Sequence, residues 1–441
     1  MNFRTSSLLV SVMLFNSCGN PEAPLQGAGP PREAARPRRE RAGNASEPVA
    51  ATGFSAVVAL NGADGSRPFG DVLASGGNLY GAGSEMGEHG GGSLFRVTPG
   101  GSLTVLHQFR QADGTGPFGR LCDGGDRIHG ITTGGGMHGN GTLYAIGHDG
   151  SGFRVLHHFK NGDPAGGSPK NGPILVGRQL IGTAFHGGVR NGFAGCVYCH
   201  DLDSGKTEML AELGGEAGFH PSGSLLFHDG WVYGMTSDYE RKEPDAHGAI
   251  FRLRPDGSEF KVLHRFAAGD GHPYDCLAAS PDGWLYGTTH GTFSNPEEHG
   301  SVFRIQADGS RFETVISFSG CGQRGGSKPN GSVVFSSDGR FLYGSTHGNN
   351  QRGGNRPGTL YAIDLKSKTM QVLHVFDGGT NGATPMRTPV LVGSRLFGLA
   401  AHAGKPGENY PDGHGLLYGF AIPEAASLSG GLPLDASFSG H

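Results

Sequence analysis

"WLYGTTHG", residues 284–291, sets two threonines and a histidine directly behind an apolar-aromatic pair and a glycine. Read alone, it has the look of a small active-site loop. It does not stand alone. "FLYGSTHG" occupies 341–348, "NLYGAGS" 78–84, "WVYGMTS" 231–237, "RLFGLAAH" 395–402, "QLIGTAFH" 179–186 and "RIHGITTG" 127–134. The glycine after the pair falls at Gly81, Gly130, Gly182, Gly234, Gly287, Gly344 and Gly398, at spacings of 49 to 57 residues. A period near 50 residues is the spacing of kelch-sized propeller blades.

Each unit resolves into four strand signals. The first follows a proline, as in "PFGDVLAS" (68–75) and "PYDCLAAS" (273–280). The second is the "LYG" segment. The third reads "GSLFRV" (92–97) or "GTLYAI" (141–146), and the fourth "TVLHQF" (104–109) or "KVLHRF" (261–266). Asp-Gly and Gly-Gly pairs between the signals are hairpin chemistry, because such turns need positive φ. The seventh unit stops after its third strand, "GLLYGFAI" (415–422), while an unpaired strand signal, "FSAVVAL" (54–60), precedes the first unit. That offset predicts ring closure, with the N-terminal strand completing the last blade and hiding both sheet edges. The expected fold is all-β: a seven-bladed propeller of four-stranded antiparallel blades over 54–423.

The units resemble the GloVer tandem-repeat proteins, "choice-of-anchor" bacterial surface proteins. "GGNLYG" (76–81), "WLYGTT" (284–289), "LFRVTPGG" (94–101) and "VLHQF" (105–109) carry the resemblance, which covers about 54–423. Blades 3 and 4 depart most, with "CVYCHD" (196–201) and the charged "DYERKEPDAH" (238–247). The resemblance implies a kelch-like surface propeller and no settled activity.

The chain has 441 residues, 82 of them Gly and 26 Pro, a level that would suggest disorder if the glycines had no period. A formal net charge of −4 gives no electrostatic footprint for nucleic acid. Arg4 and the apolar run "LLVSVMLF" (8–15) read as a signal-peptide core, too short for a mature span. "FNSC" (15–18) resembles a lipobox with Phe15 in place of the usual Leu or Val, so 1–18 is read as a lipoprotein-type signal with Cys18 the lipidated residue. The expected protein is exported and anchored by lipid, not spanning, on a bacterial outer membrane or cell surface. Residues 19–53 carry six prolines and five arginines with almost no bulky apolar residue, as a tether would, and 424–441 read as a tail.

Candidate chemistry concentrates in histidine. His107, His157, His264 and His374 recur in "L-H-x-F" on the outermost strand and are read as packing elements. The loops joining second to third strands and blade to blade leave one face of the disc, and every blade places a histidine there. His186, His290, His347 and His402 follow the second strand most closely and are the candidate ligand-binding set, with Asp238 and Glu297 as carboxylates nearby. Glu85 and Glu408 are further carboxylates on these loops. Imidazole is the commonest metal ligand, so a divalent metal is weighed here against simple loop polarity.

"CVYCH" (196–200) matches the c-type haem attachment pattern. It falls on a third strand, however, where Cys196 and Cys199 point to opposite faces, and haem is set aside. Apart from Cys18 five cysteines remain, which suggests no disulfide framework. The leading reading is a monomeric, non-catalytic binding module for a glycan, polymer or protein. The alternative is a metal-assisted extracellular lyase or hydrolase built on the loop histidines.

Overall fold

The computed structural model describes residues 53–188, 194–237, 247–267, 269–291, 299–320, 326–348, 358–376, 379–403, 413–423 and 432–433. These residues form seven antiparallel sheets and, apart from the short 3-10 turns Gly215–Ala217 and Gly379–Asn381, no helix. Each sheet is one blade. Blade 1 runs Leu73–Ser75, Asn78–Gly83, Ser93–Val97, Leu103–Gln108, each strand bonded to the next. Blades 2 to 6 repeat that order. In blade 5 the first strand is split into His272–Pro273 and Ala278–Ala279, both paired with Trp284–His290. Leu432–Pro433 pairs with the outer strand of blade 6.

Blade 7 closes the ring as expected. Its own strands are Ala383–Pro385 with Val390–Val392, Arg395–His402 and Leu416–Ala421, and its fourth is the N-terminal Phe54–Ala59, in register Phe54↔Phe420. All seven blades carry a bulge between third and fourth strands, immediately beside the third-strand aromatic: Leu94/Phe95, Leu143/Tyr144, Val197/Tyr198, Ile250/Phe251, Val302/Phe303, Leu360/Tyr361, and Ala56/Val58 opposite Tyr418. A bulge bends its strand and increases local twist, as each outer strand needs.

The core is seven separate clusters, one per joint between neighbouring blades. Leu60, Leu79, Phe95, Leu399 and Leu417, for example, join blades 7 and 1. At about 1.5–3 kcal/mol for each large apolar side chain fully buried, the joints hold the ring together. The "L-H-x-F" histidines add a clasp between blades. His107 stacks on Phe153 at 3.6 Å, His264 on Phe312 at 3.8 Å and His374 on Phe54 at 3.9 Å, each ring lying on the outer strand of the next blade or the residue leading into it.

Candidate functional site

Two of the four candidate histidines meet. His290 ends the second strand of blade 5 and is 3% exposed. Its ring lies 6.4 Å from that of His347 and 5.7 Å from that of Tyr274. Each of the two donates Nδ1–H to the next carbonyl, Gly291 or Gly348, at 2.8 Å, which makes Nε2 an acceptor. Burial, then the neighbouring His347, pushes His290 down to about 3; burial likewise pushes His347 down to about 4, with Lys328 and His402 acting the same way. Both are therefore neutral at physiological pH. His402 pairs with Ala383 in blade 7. His186 lies in blade 3, edge-on to Phe185 and 6.4 Å from His220, apart from the other three. Among the described residues no three His, Cys, Asp or Glu side chains gather as a metal set. Asp238, Glu297, Glu408, Cys18 and Cys321 lie outside the described residues.

The "CVYCH" thiols are packed into the blade joints. Cys196 packs into the joint with blade 2 and Cys199 into the joint with blade 4, so the two point to opposite faces of their strand and cannot hold one haem. Burial pushes them up to about 12 and about 11. Cys122, Cys196, Cys199 and Cys276 are all free.

The most elaborate polar construction is one that the sequence reading does not single out. In every blade the proline five residues before the first strand's pairing position (Pro68, Pro117, Pro169, Pro221, Pro273, Pro329, Pro385) leads a short segment into the ring axis. Two residues after the proline stand Gly70, Gly119, Asn171, Gly223, Asp275, Gly331 and Arg387. Here the backbones of neighbouring blades touch. A Cβ at Gly70 would lie 2.6 Å from the Gly119 carbonyl oxygen, and one at Gly331 would lie 2.5 Å from the Thr388 nitrogen. Glycine is required for that approach. The three larger residues come from alternate blades and interlock. Asn171 Nδ2 donates to Asp275 Oδ1 at 3.3 Å, and Arg387 Nη1 lies 3.4 Å from the same oxygen. Asp275 Oδ2 accepts from the Ser332 amide at 3.1 Å and the Thr388 hydroxyl at 3.3 Å. Asp275 is fully buried and Arg387 4% exposed in side chain, so the ion pair is costly to break.

One residue further along stand Asp71, Arg120, Gly172, Ser224, Cys276, Ser332 and Thr388. Most of them line a cavity of about 200 Å³ on the axis, walled further out by Leu226, Ala278, Val334 and Val390. Burial, then the Asp275 carboxylate, pushes Asp71 up to about 7, against the pull of Arg387 and Arg120. On the other side of the interlock, towards the loops, the residues directly after the prolines include Phe69, Phe118, Lys170, Tyr274 and Met386, all partly exposed. Phe69 and Phe118 meet at 5.9 Å, Arg387 lies 5.1 Å over Phe118, and Lys170 lies 5.3 Å over Phe185. This loop-side mouth is aromatic, its Phe69 and Phe118 rings tilted at 46° to each other.

Comparison with known proteins agrees with this architecture. The family model described as Gloeobacter/Verrucomicrobia repeat matches residues 46–194 and 191–410. No curated protein matches at a significant level. Among solved structures, an oligogalacturonate lyase in complex with manganese is 14% identical over 80% of this chain and 88% of its own, with a TM-score of 0.50. An oligogalacturonate lyase from Vibrio parahaemolyticus is 12% identical over 84% and 94%, with a TM-score of 0.54. A puromycin hydrolase is 16% identical over 77% and 51%, with a TM-score of 0.52. At such identities the likeness carries the fold and not the reaction.

Proposed function

We propose, on the premise that the chain belongs to the Gloeobacter/Verrucomicrobia repeat family, that it is a non-catalytic binding module for an extracellular polymer, a glycan before a protein. The observation behind this reading is the axial mouth on the loop side. There Phe69, Phe118 and Tyr274 present partly exposed rings from three blades, bordered by imidazoles held neutral. Flat apolar faces beside a few polar groups suit the C–H faces and hydroxyls of sugar rings, and a site of this kind gains by being preformed on rigid strands. We further propose that the protein is exported as a monomer and tethered by lipid at Cys18, so that this face meets material outside the cell.

The test is calorimetry of the protein against a panel of neutral and acidic polysaccharides. Saturable binding that weakens tenfold or more in Phe118→Ala/Tyr274→Ala, with Tm held within a few degrees, supports the module. Binding unchanged in that variant would place the ligand elsewhere and sink the reading. A stoichiometric metal lost on substituting His290 and His347, with turnover of a panel member, would transfer the assignment to a metal-assisted lyase or hydrolase. The tether has its own readout: Cys18→Ser should release the protein from the membrane fraction.

A further inference from the structure

We propose that the axial cavity is a second binding site, one for a small carboxylic acid with a hydrogen-bond donor beside its carboxylate, an α-amino or α-hydroxy acid, anchored by Arg120.

The first reason is a guanidinium that hydrogen-bonds no carboxylate among the described residues. Arg120 is surrounded by protein, yet it is exposed to solvent because it lines the cavity. Among the described residues its guanidinium reaches only the Cys276 sulfur, at 4.0 Å, a weak acceptor. Arg387, the other axial cation, is already spent on Asp275 and on the Phe69 carbonyl, 3.2 Å from Nε. A guanidinium is a planar fork of donors matched to a carboxylate, and here the fork faces open space.

The second reason is what stands beside it. Asp71 holds the equivalent position in the adjacent blade and lines the same cavity. Among the described residues it accepts only the Thr388 amide, at 3.2 Å. Ser332 and Thr388 also stand on the wall. The cavity thus offers one cation and one acceptor in a polar band, with Leu226, Ala278, Val334 and Val390 as an apolar collar. A bare cation would meet Arg120, a neutral polyol would leave the guanidinium uncompensated, and a bare anion would face Asp71. An acid with an adjacent ammonium or hydroxyl gives Arg120 a carboxylate and Asp71 a hydrogen-bond donor.

Size agrees with this class. At about 30 Å³ per water, 200 Å³ corresponds to roughly six to seven waters, or a ligand of about that many non-hydrogen atoms. The Asn171–Asp275–Arg387 interlock separates the cavity from the aromatic mouth, so this ligand enters from the face of the first-to-second-strand turns. The site is independent of the polymer reading.

The experiment is thermal shift and calorimetry of the full chain with alanine, lactate, propionate and glycerol. Alanine or lactate should raise Tm and bind at least tenfold more tightly than propionate, and glycerol should do nothing. Arg120→Gln should abolish the effect. Asp71→Asn should erase the preference over propionate, which keeps the proposal testable even if Arg120→Gln does not fold. No shift with either donor-bearing acid, a shift that survives Arg120→Gln, or equal binding of lactate and propionate would each overturn it. Polysaccharide binding at the loop-side mouth should be untouched in Arg120→Gln, so failure of one site is distinguishable from failure of the other.

Discussion

Gly287 explains why a glycine follows the apolar-aromatic pair in every unit. It lies opposite Phe303 on the third strand, and a Cβ there would enter the Phe303 ring and lie 3.0 Å from Leu277 Cδ2. The same ring-on-glycine contact recurs at Gly81 with Phe95, Gly130 with Tyr144, Gly182 with Tyr198, Gly234 with Phe251, Gly344 with Tyr361 and Gly398 with Tyr418. None of these glycines has positive φ, so the requirement is space and not backbone freedom. Gly287→Val should therefore destabilise the protein by about 1–3 kcal/mol or more through overpacking, read by urea unfolding. A variant that unfolds at the parent's midpoint would show that the ring can move aside.

His290 carries the second residue-scale expectation, with its sign set by burial. Its value of about 3, and about 4 for His347, lie below the ordinary imidazole range. As pH falls through about 6.5 the unfolded chain takes up protons that the fold refuses, so stability present above that pH is lost on the way down to 4. The limit is about 1.4 kcal/mol per pH unit for each ring. Asp71, raised to about 7, acts in the opposite sense: its neutral form is favoured in the fold, and stability rises as pH falls from 7 towards 4. Two rings outweigh one carboxyl, so the protein should be less stable at pH 5 than at pH 7. Unfolding measured at both pH values should show a smaller difference in His290→Gln and a larger one in Asp71→Asn.

Elements differ in how plainly the sequence announces them. Second, third and fourth strands are legible because each combines an apolar or aromatic alternation with a turn pair and repeats it. The first strand is legible only by its proline, since its paired part shrinks to three residues, Leu73–Ser75, in blade 1 and two, Ala278–Ala279, in blade 5. What stands between the proline and that paired part lines the axis; in blade 2 it lies within the strand Thr115–Asp123, where the register shifts between Phe118 and Cys122. There Asp71, Arg120, Asp275 and Arg387 share positions with Gly and Ser and read as ordinary turn polarity. The signal that could have found them is register: charged residues at two adjacent positions fixed by the proline in a fold whose first strands surround the axis. The loop histidines show the converse. Their recurrence after the second strands was legible, but strand-end burial and distances between blades were not. His290 and His347 come together across one joint, while His186 belongs to another. Periodicity reports what the blades share, and a site is made from what they do not share.

At the scale of the molecule, stability depends on a closure that is not covalent. The seventh blade takes its fourth strand from the other end of the chain, so one set of strand pairs holds the ring shut. That strand does three things at once. Its backbone pairs with Leu416–Ala421 from Phe54 to Ala59. Leu60, 2% exposed, joins the core between blades 7 and 1. Phe54 stacks on His374 of blade 6 and lies 6.1 Å from Tyr418, so the closing strand also clasps the preceding blade. Deleting 54–60 removes all three and bares the third strand of blade 7 as an unpaired edge, a template for association with other chains. The truncated protein should be aggregated, or lose stability far beyond the sum of two or three core truncations, by light scattering and chemical unfolding. Adding the 54–60 peptide in trans should restore part of the lost stability, because the groove it leaves is already shaped by the two flanking joints. A truncated protein that stays monomeric and unfolds at the parent's midpoint would mean that the joints alone hold the ring, and that the offset of the repeat has another cause.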